Sequence, residues 1–198
     1  MRSTQKLSET EKFKFKGIEQ NFGLIDFWKW AFSDLITNKN RGVLAEFIVA
    51  RLLGLDYMIR PEWRLFDLEY IAGKSKSIKI EIKSAAYLQG WDNKKLSKII
   101  FEISPKSVWL QDKQRYNKNE LKRHSDVYIF CLLSHQDRVT LNPLELSQWD
   151  FFILRTEVLD EKKGMQKKIS FESLLKLKPV KTSFDKFEND FNSCINET

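Results

Sequence analysis

The chain has 198 residues, 42% of them apolar and 13% aromatic, enough to bury one domain core and to exclude general disorder. Lys and Arg number 34 against 27 Asp and Glu, and the net charge of +7 fits a polyanionic partner, most simply nucleic acid. Two cysteines, Cys131 and Cys194, and two solitary histidines, His124 and His135, exclude a disulfide framework and a zinc knuckle.

Residues 1–22 are polar and Lys-rich and read as an irregular arm. Their opening, MRSTQKLSETEKFKF, has no apolar core of a signal peptide, and no run approaches the about 18 apolar residues that span a bilayer. A reducing cytoplasm, with no membrane partner, is the expected setting. Residues 24–37 carry apolar positions at helical spacing, and Asn40 can cap a second helix over 41–54 with Gly54 as its stop. Val43, Leu44, Phe47, Ile48, Arg51 and Leu52 trace a mostly apolar stripe there, and Glu46 is the helix's one acidic residue. After Pro61, residues 63–72 read as a strand, GKSK as a turn and 77–84 as the returning strand.

Residues 85–98 fit a helix or an irregular excursion, and 99–104 a third strand. Residues 105–124 are basic and polar. The run 126–134 is continuously apolar, as in a central strand buried on both faces. Residues 149–156 read as a strand and 170–178 as a short helix capped by Ser170; the tail from Pro179 has no clear element. Helices, then a hairpin, then strands with a late helix predict an α/β chain of one domain, its core spanning about 24–178.

The returning strand alternates Ile78, Lys79, Ile80, Glu81, Ile82, Lys83, the mark of one buried face. The bland reading leaves Glu81 and Lys83 on a wet face, Asp67 paired with Arg64 or Lys83, and Glu46 paired with Arg41 or in solvent. The sharper reading joins them. Hard cations such as Mg²⁺ take oxygen ligands, and two carboxylates with a substrate phosphate make a common site. Glu81 and Lys83, two apart on a strand, deliver ligand and cation to one spot. Asp67 shares their face only if the hairpin loop is odd in length or carries a bulge; a loop of Gly73-Lys74-Ser75 would set Asp67 opposite Glu81.

Asp67, a gap of 13 residues, and then Glu81-Ile82-Lys83 resembles the signature of the PD-(D/E)XK, restriction-endonuclease-like nucleases. Glu46 on the preceding helix and Gln89 after the strand are similar to further positions of that superfamily, while Phe66 stands where the family's proline would be. The resemblance covers about residues 40–156. It implies a mixed central β-sheet flanked by α-helices and a Mg²⁺-dependent endonuclease, with Mn²⁺ as a substitute ion, that hydrolyses DNA phosphodiester bonds by a metal-activated water. On this resemblance Asp67, Glu81 and the Ile82 carbonyl hold the metal and Lys83 orients or activates the water. Glu46 supports the metal site, and Gln89 orients the site or touches substrate.

Residues 94–123 hold nine Lys and Arg against three Asp and Glu, with Trp91, Trp109 and Tyr116 close by. Cations grip phosphates and aromatics stack on bases, so Lys94, Lys95, Lys98, Trp109 and Arg115 are the candidate nucleic-acid contacts. Cutting both strands would call for a homodimer. The alternative function is a non-catalytic nucleic-acid-binding module on the same fold.

Overall fold

The computed structural model describes residues 5–57, 59–62, 64–73, 76–90, 95–110 and 115–196. The expected irregular arm contains a hairpin, β1 (Lys12–Phe15) and β2 (Ile18–Gly23), whose Phe13 and Phe22 rings meet at 4.9 Å. Helix α1 (Leu24–Phe32) ends short of the expected Thr37. Asp34 turns the chain there by accepting from the Ile36 N–H at 3.1 Å, the local bond with which Asp competes against helix. Helix α2 (Asn38–Leu52) starts after Thr37 rather than at Asn40, and Gly54 stops it at φ +67°, a conformation that costs glycine little. Its buried face is Arg41, Ala45, Ile48, Val49 and Ala50, whereas Phe47 and Arg51 of the expected stripe point outward.

The strands that follow are β3 (Leu68–Ala72), β4 (Lys76–Ala86), β5 (Ile100–Glu102), β6 (Lys106–Leu110), β7 (Arg115–Lys122), β8 (Val127–Leu133) and β9 (Trp149–Arg155). The chain closes with α3 (Thr156–Lys163), β10 (Lys168–Ser170), α4 (Phe171–Leu175), β11 (Val180–Thr182) and α5 (Phe187–Asn196). The basic stretch 105–124 is thus mainly the hairpin β6–β7. Residues 85–98 hold no helix among the described residues. Ser170 caps α4 as expected, accepting from the Ser173 N–H at 3.2 Å.

Five strands form one mixed sheet in the order β11-β9-β8-β4-β3. β4 and β8 run parallel and the other pairs antiparallel. Every residue of the central strand β8 is buried, so both faces of the sheet are covered. On one face Ile78, Ile80 and Ile82 pack with Ala45, Ile48 and Val49 of α2 and with Phe187 and Phe191 of α5. On the other, Ala85 and Phe130 pack with Phe101 of β5, Leu159 of α3 and Leu174 of α4. Phe187, Phe191, Cys194 and Ile195 of the tail are all buried, which carries the packed core past residue 178. Among the described residues no helix is long and apolar enough to cross a membrane. Both cysteines are buried, and neither forms a disulfide.

Candidate active site

The hairpin register decides whether Asp67 can meet Glu81. Leu68 pairs with Ile80 and Ala72 with Lys76, which leaves three residues between the strands, the odd number the pattern requires. β3 begins at Leu68, so Asp67 lies just before the strand rather than within it. Its N–H still donates to the Ile80 carbonyl at 2.9 Å. Its carboxylate then takes the place of a further ladder bond and accepts from the Ile82 N–H at 2.7 Å. An extended strand points a residue's N–H and C=O to the same edge, so the Ile82 carbonyl faces the Asp67 side as well.

Glu81 does not lie on a wet face: it is 2% exposed. Two ammonium groups converge on its Oε1, Lys83 Nζ from the same strand and Lys106 Nζ from the start of β6, each at 2.7 Å. A buried carboxylate needs such partners, because an unpaired buried charge costs several kcal/mol on the order of its lost hydration. Tyr128 lies opposite Glu81 on the parallel neighbour; burial, and then the Glu81 charge, push its phenol well above the ordinary range, so it stays protonated.

Burial is the main cause that pushes Asp67 up to about 6, with the negative charges of Glu81 and Glu46 adding to it. The Ile82 amide and Lys83 work the other way. For Lys83, burial acts to depress the ammonium, but the charge and hydrogen bond of Glu81 outweigh it and hold it above its usual value. Lys83 is therefore a fixed cation here, suited to orienting water or an anion rather than to taking a proton. Glu46 is bound by Arg60, through Nε to Oε2 and through NH2 to Oε1 at 2.8 Å, not by Arg41. Glu46, Asp67, Glu81 and Lys83 thus form one electrostatically linked group at the open end of the β3–β4 pair.

Gln89 stands apart from that group. Its Nε2 donates to the Ala86 carbonyl at 2.9 Å and its Oε1 receives a long contact from Arg41 at 3.4 Å. Arg41 is itself buried, and burial pulls its guanidinium down to about 10. Gln89 thus supports the start of α2, not the carboxylates. Of the expected nucleic-acid contacts, Lys95 and Lys98 are exposed. Lys94 lies outside the described residues, and for Trp109 and Arg115 only the backbone is described, Trp109 opposite Tyr116 and Arg115 opposite Leu110. Lys106 belongs to the basic stretch, but no spacing in the sequence ties it to Glu81.

No family model, curated protein or solved structure matches this chain. Function must be read from the chemistry of the site. Among the described residues no cluster of three or more His, Cys, Asp or Glu side chains is close enough to hold a metal ion. The oxygens that could serve a metal ion here are those of two carboxylates, Asp67 and Glu81, and the Ile82 carbonyl. That set suits a hard ion that keeps most of its waters, such as Mg²⁺, and it suits neither zinc nor a softer metal. Two neighbouring carboxylates, one of them driven toward protonation by burial and by the other, are also relieved by a bound cation.

Proposed function

We propose that this chain is a Mg²⁺-dependent endonuclease that hydrolyses DNA phosphodiester bonds, built on a restriction-endonuclease-like sheet. The observation that carries the reading is the Asp67 carboxylate seated on the Ile82 amide, next to Glu81 and Lys83. The antiparallel β3–β4 pair, the parallel β4–β8 pair and the Glu46 helix before them support the fold assignment.

Asp67, Glu81 and the Ile82 carbonyl would hold the ion. When bound, Mg²⁺ supplies Lewis-acid activation of water and neutralises phosphate charge. Lys83 orients the nucleophile and offsets the negative charge that builds on the scissile phosphate. Lys106, its side chain 42% exposed, can exchange its Glu81 contact for a phosphate oxygen. The Glu46–Arg60 pair fixes α2 to the segment leading into Asp67.

One observation favours a second reading, a nucleic-acid-binding module without catalysis: both lysines satisfy Glu81 on one oxygen, and an ion pair can be an end in itself. Nicking of supercoiled plasmid in Mg²⁺, Mn²⁺ or EDTA separates the two. The nuclease reading expects metal-dependent nicking that falls at least about 100-fold in both Lys83→Ala and Asp67→Ala, as for loss of a preorganised electrostatic group. DNA binding without cutting in any ion would leave the binding module; neither binding nor cutting would refute both.

A further inference from the structure

Asp67 borders two hollows. The larger, about 540 Å³, is walled by Trp28, Val43, Phe47, Leu55 and Ile59 and reaches Glu46 and Asp67. The smaller, about 310 Å³, is lined by Arg60, Pro61, Glu62, Arg64, Phe66 and Asp67. Arg60, Pro61, Arg64 and Asp67 line both, so the hollows are continuous. The larger falls in the roughly 300–1,000 Å³ range of small-ligand sites. Its aromatic walls are open to a ligand: Trp28 is 38% exposed and Phe47 55%. An outward Phe on α2 has no packing role in the core, and it explains why the apolar stripe of that helix is wider than its buried face.

An apolar hollow joined to a polar one that offers Arg64 beside Glu62 and the Glu46-bound Arg60, with a carboxylate of the candidate site at the junction, can take one nucleotide. The flat base face fits the first and the anionic phosphate the second. A base within a stacked duplex cannot enter such a hollow without leaving its neighbours, and the cost of unstacking is least where the base is already unpaired. We infer that the hollow walled by Trp28, Val43 and Phe47 takes the base of an unpaired DNA nucleotide beside the scissile phosphate, with Arg64 on its phosphate. The inference rests on the nuclease reading for the position of that phosphate, and it makes DNA with unpaired nucleotides the substrate class.

The test uses the full chain and a duplex with a one-nucleotide 2-aminopurine bulge, against the same duplex fully paired. Binding is measured in EDTA and cleavage in Mg²⁺. The expected result is bulge binding about tenfold tighter than paired binding, with a change in 2-aminopurine emission, as base–aromatic stacking allows. Phe47→Ala and Val43→Trp, the second filling the hollow, should bring that ratio close to one and leave paired-duplex affinity within about twofold, since phosphate contacts carry that term. Thermal denaturation checks each variant's fold; if Val43→Trp unfolds, Phe47→Ala decides, because its side chain is outside the core. Equal binding of both duplexes, or a bulge preference that survives a folded variant, overturns the inference. Mg²⁺-dependent plasmid nicking alongside that result would leave the nuclease reading standing. A bulge preference lost in the variants, with no cleavage of any substrate, would keep the base site and sink the nuclease.

Discussion

Replacing Asp67 by Asn should stabilise the metal-free protein at neutral pH. The Asp67 carboxyl is pushed up from 3.8 to about 6, chiefly by burial and then by Glu81. At 1.36 kcal/mol per pKa unit this amounts to about 3 kcal/mol of penalty for the ionised form. Asp67 is only partly shielded from solvent, and screening and relaxation bring the expected gain to about 1–2 kcal/mol. Asn keeps an oxygen to accept from the Ile82 N–H and removes the charge. The sign follows from proton linkage: between pH 4 and 6 the folded protein binds more protons than the unfolded chain, so stability falls as pH rises through that window. The penalty is absent below about 3.8 and complete above about 6. Urea denaturation in EDTA at pH values from 4 to 8 gives the stability difference between variant and wild type, which cancels the titration of other groups. That difference should start near zero, grow from pH 4 to 6 and then level off. A flat difference across the window, or an Asp67→Asn protein less stable than wild type at pH 7, would refute the account of a charge-strained carboxylate. Asp67→Ala separates the two contributions, because it also strips the Ile82 N–H of its acceptor at a cost of about 1–3 kcal/mol.

Phe191→Ala should cost about 3–5 kcal/mol in urea denaturation, since the ring is fully buried against Tyr70 and Phe187. A loss under 1 kcal/mol would mean that the tail is not part of the core. Gln89→Leu should lower stability by about 1–3 kcal/mol by leaving buried Arg41 short of an acceptor, while changing plasmid nicking by less than about threefold. A collapse of nicking in a fully folded Gln89→Leu protein would return Gln89 to the catalytic group. Lys106→Ala should reduce both the salt dependence of DNA binding, by about one unit of slope, and the rate of nicking, by about tenfold. Unchanged slope and rate would confine Lys106 to its ion pair with Glu81.

The legible part of this chain was the part governed by short-range rules. The alternation from Ile78 to Lys83 made a strand, the three residues between Ala72 and Lys76 set an odd register, and the apolar run near 126–134 made a doubly buried strand. The ends of elements were less legible, because side-chain bonds such as Asp34 to Ile36 compete locally with helix. The tail shows no clear element in the sequence for a related reason. Phe187, Phe191, Cys194 and Ile195 have helical spacing, but Glu188, Asp190 and three asparagines between and around them mask it.

The second lysine on Glu81 marks the boundary of what spacing can reveal. Lys83 is two residues from Glu81, and strand geometry alone places both on one face. Lys106 is 25 residues away, and its approach depends on the whole excursion after β4 and on β6 starting where it does. In a basic chain, one lysine among seven in the stretch 94–123 carries no mark of its own. What selects it is the need of a carboxylate only 2% exposed for more positive charge than one neighbour provides. A buried acidic residue on a predicted strand therefore implies a distant cation even when the sequence cannot name it. Here that cation is also the more exposed of the two, 42% against 23% for Lys83, and so the better placed to leave Glu81 for a phosphate.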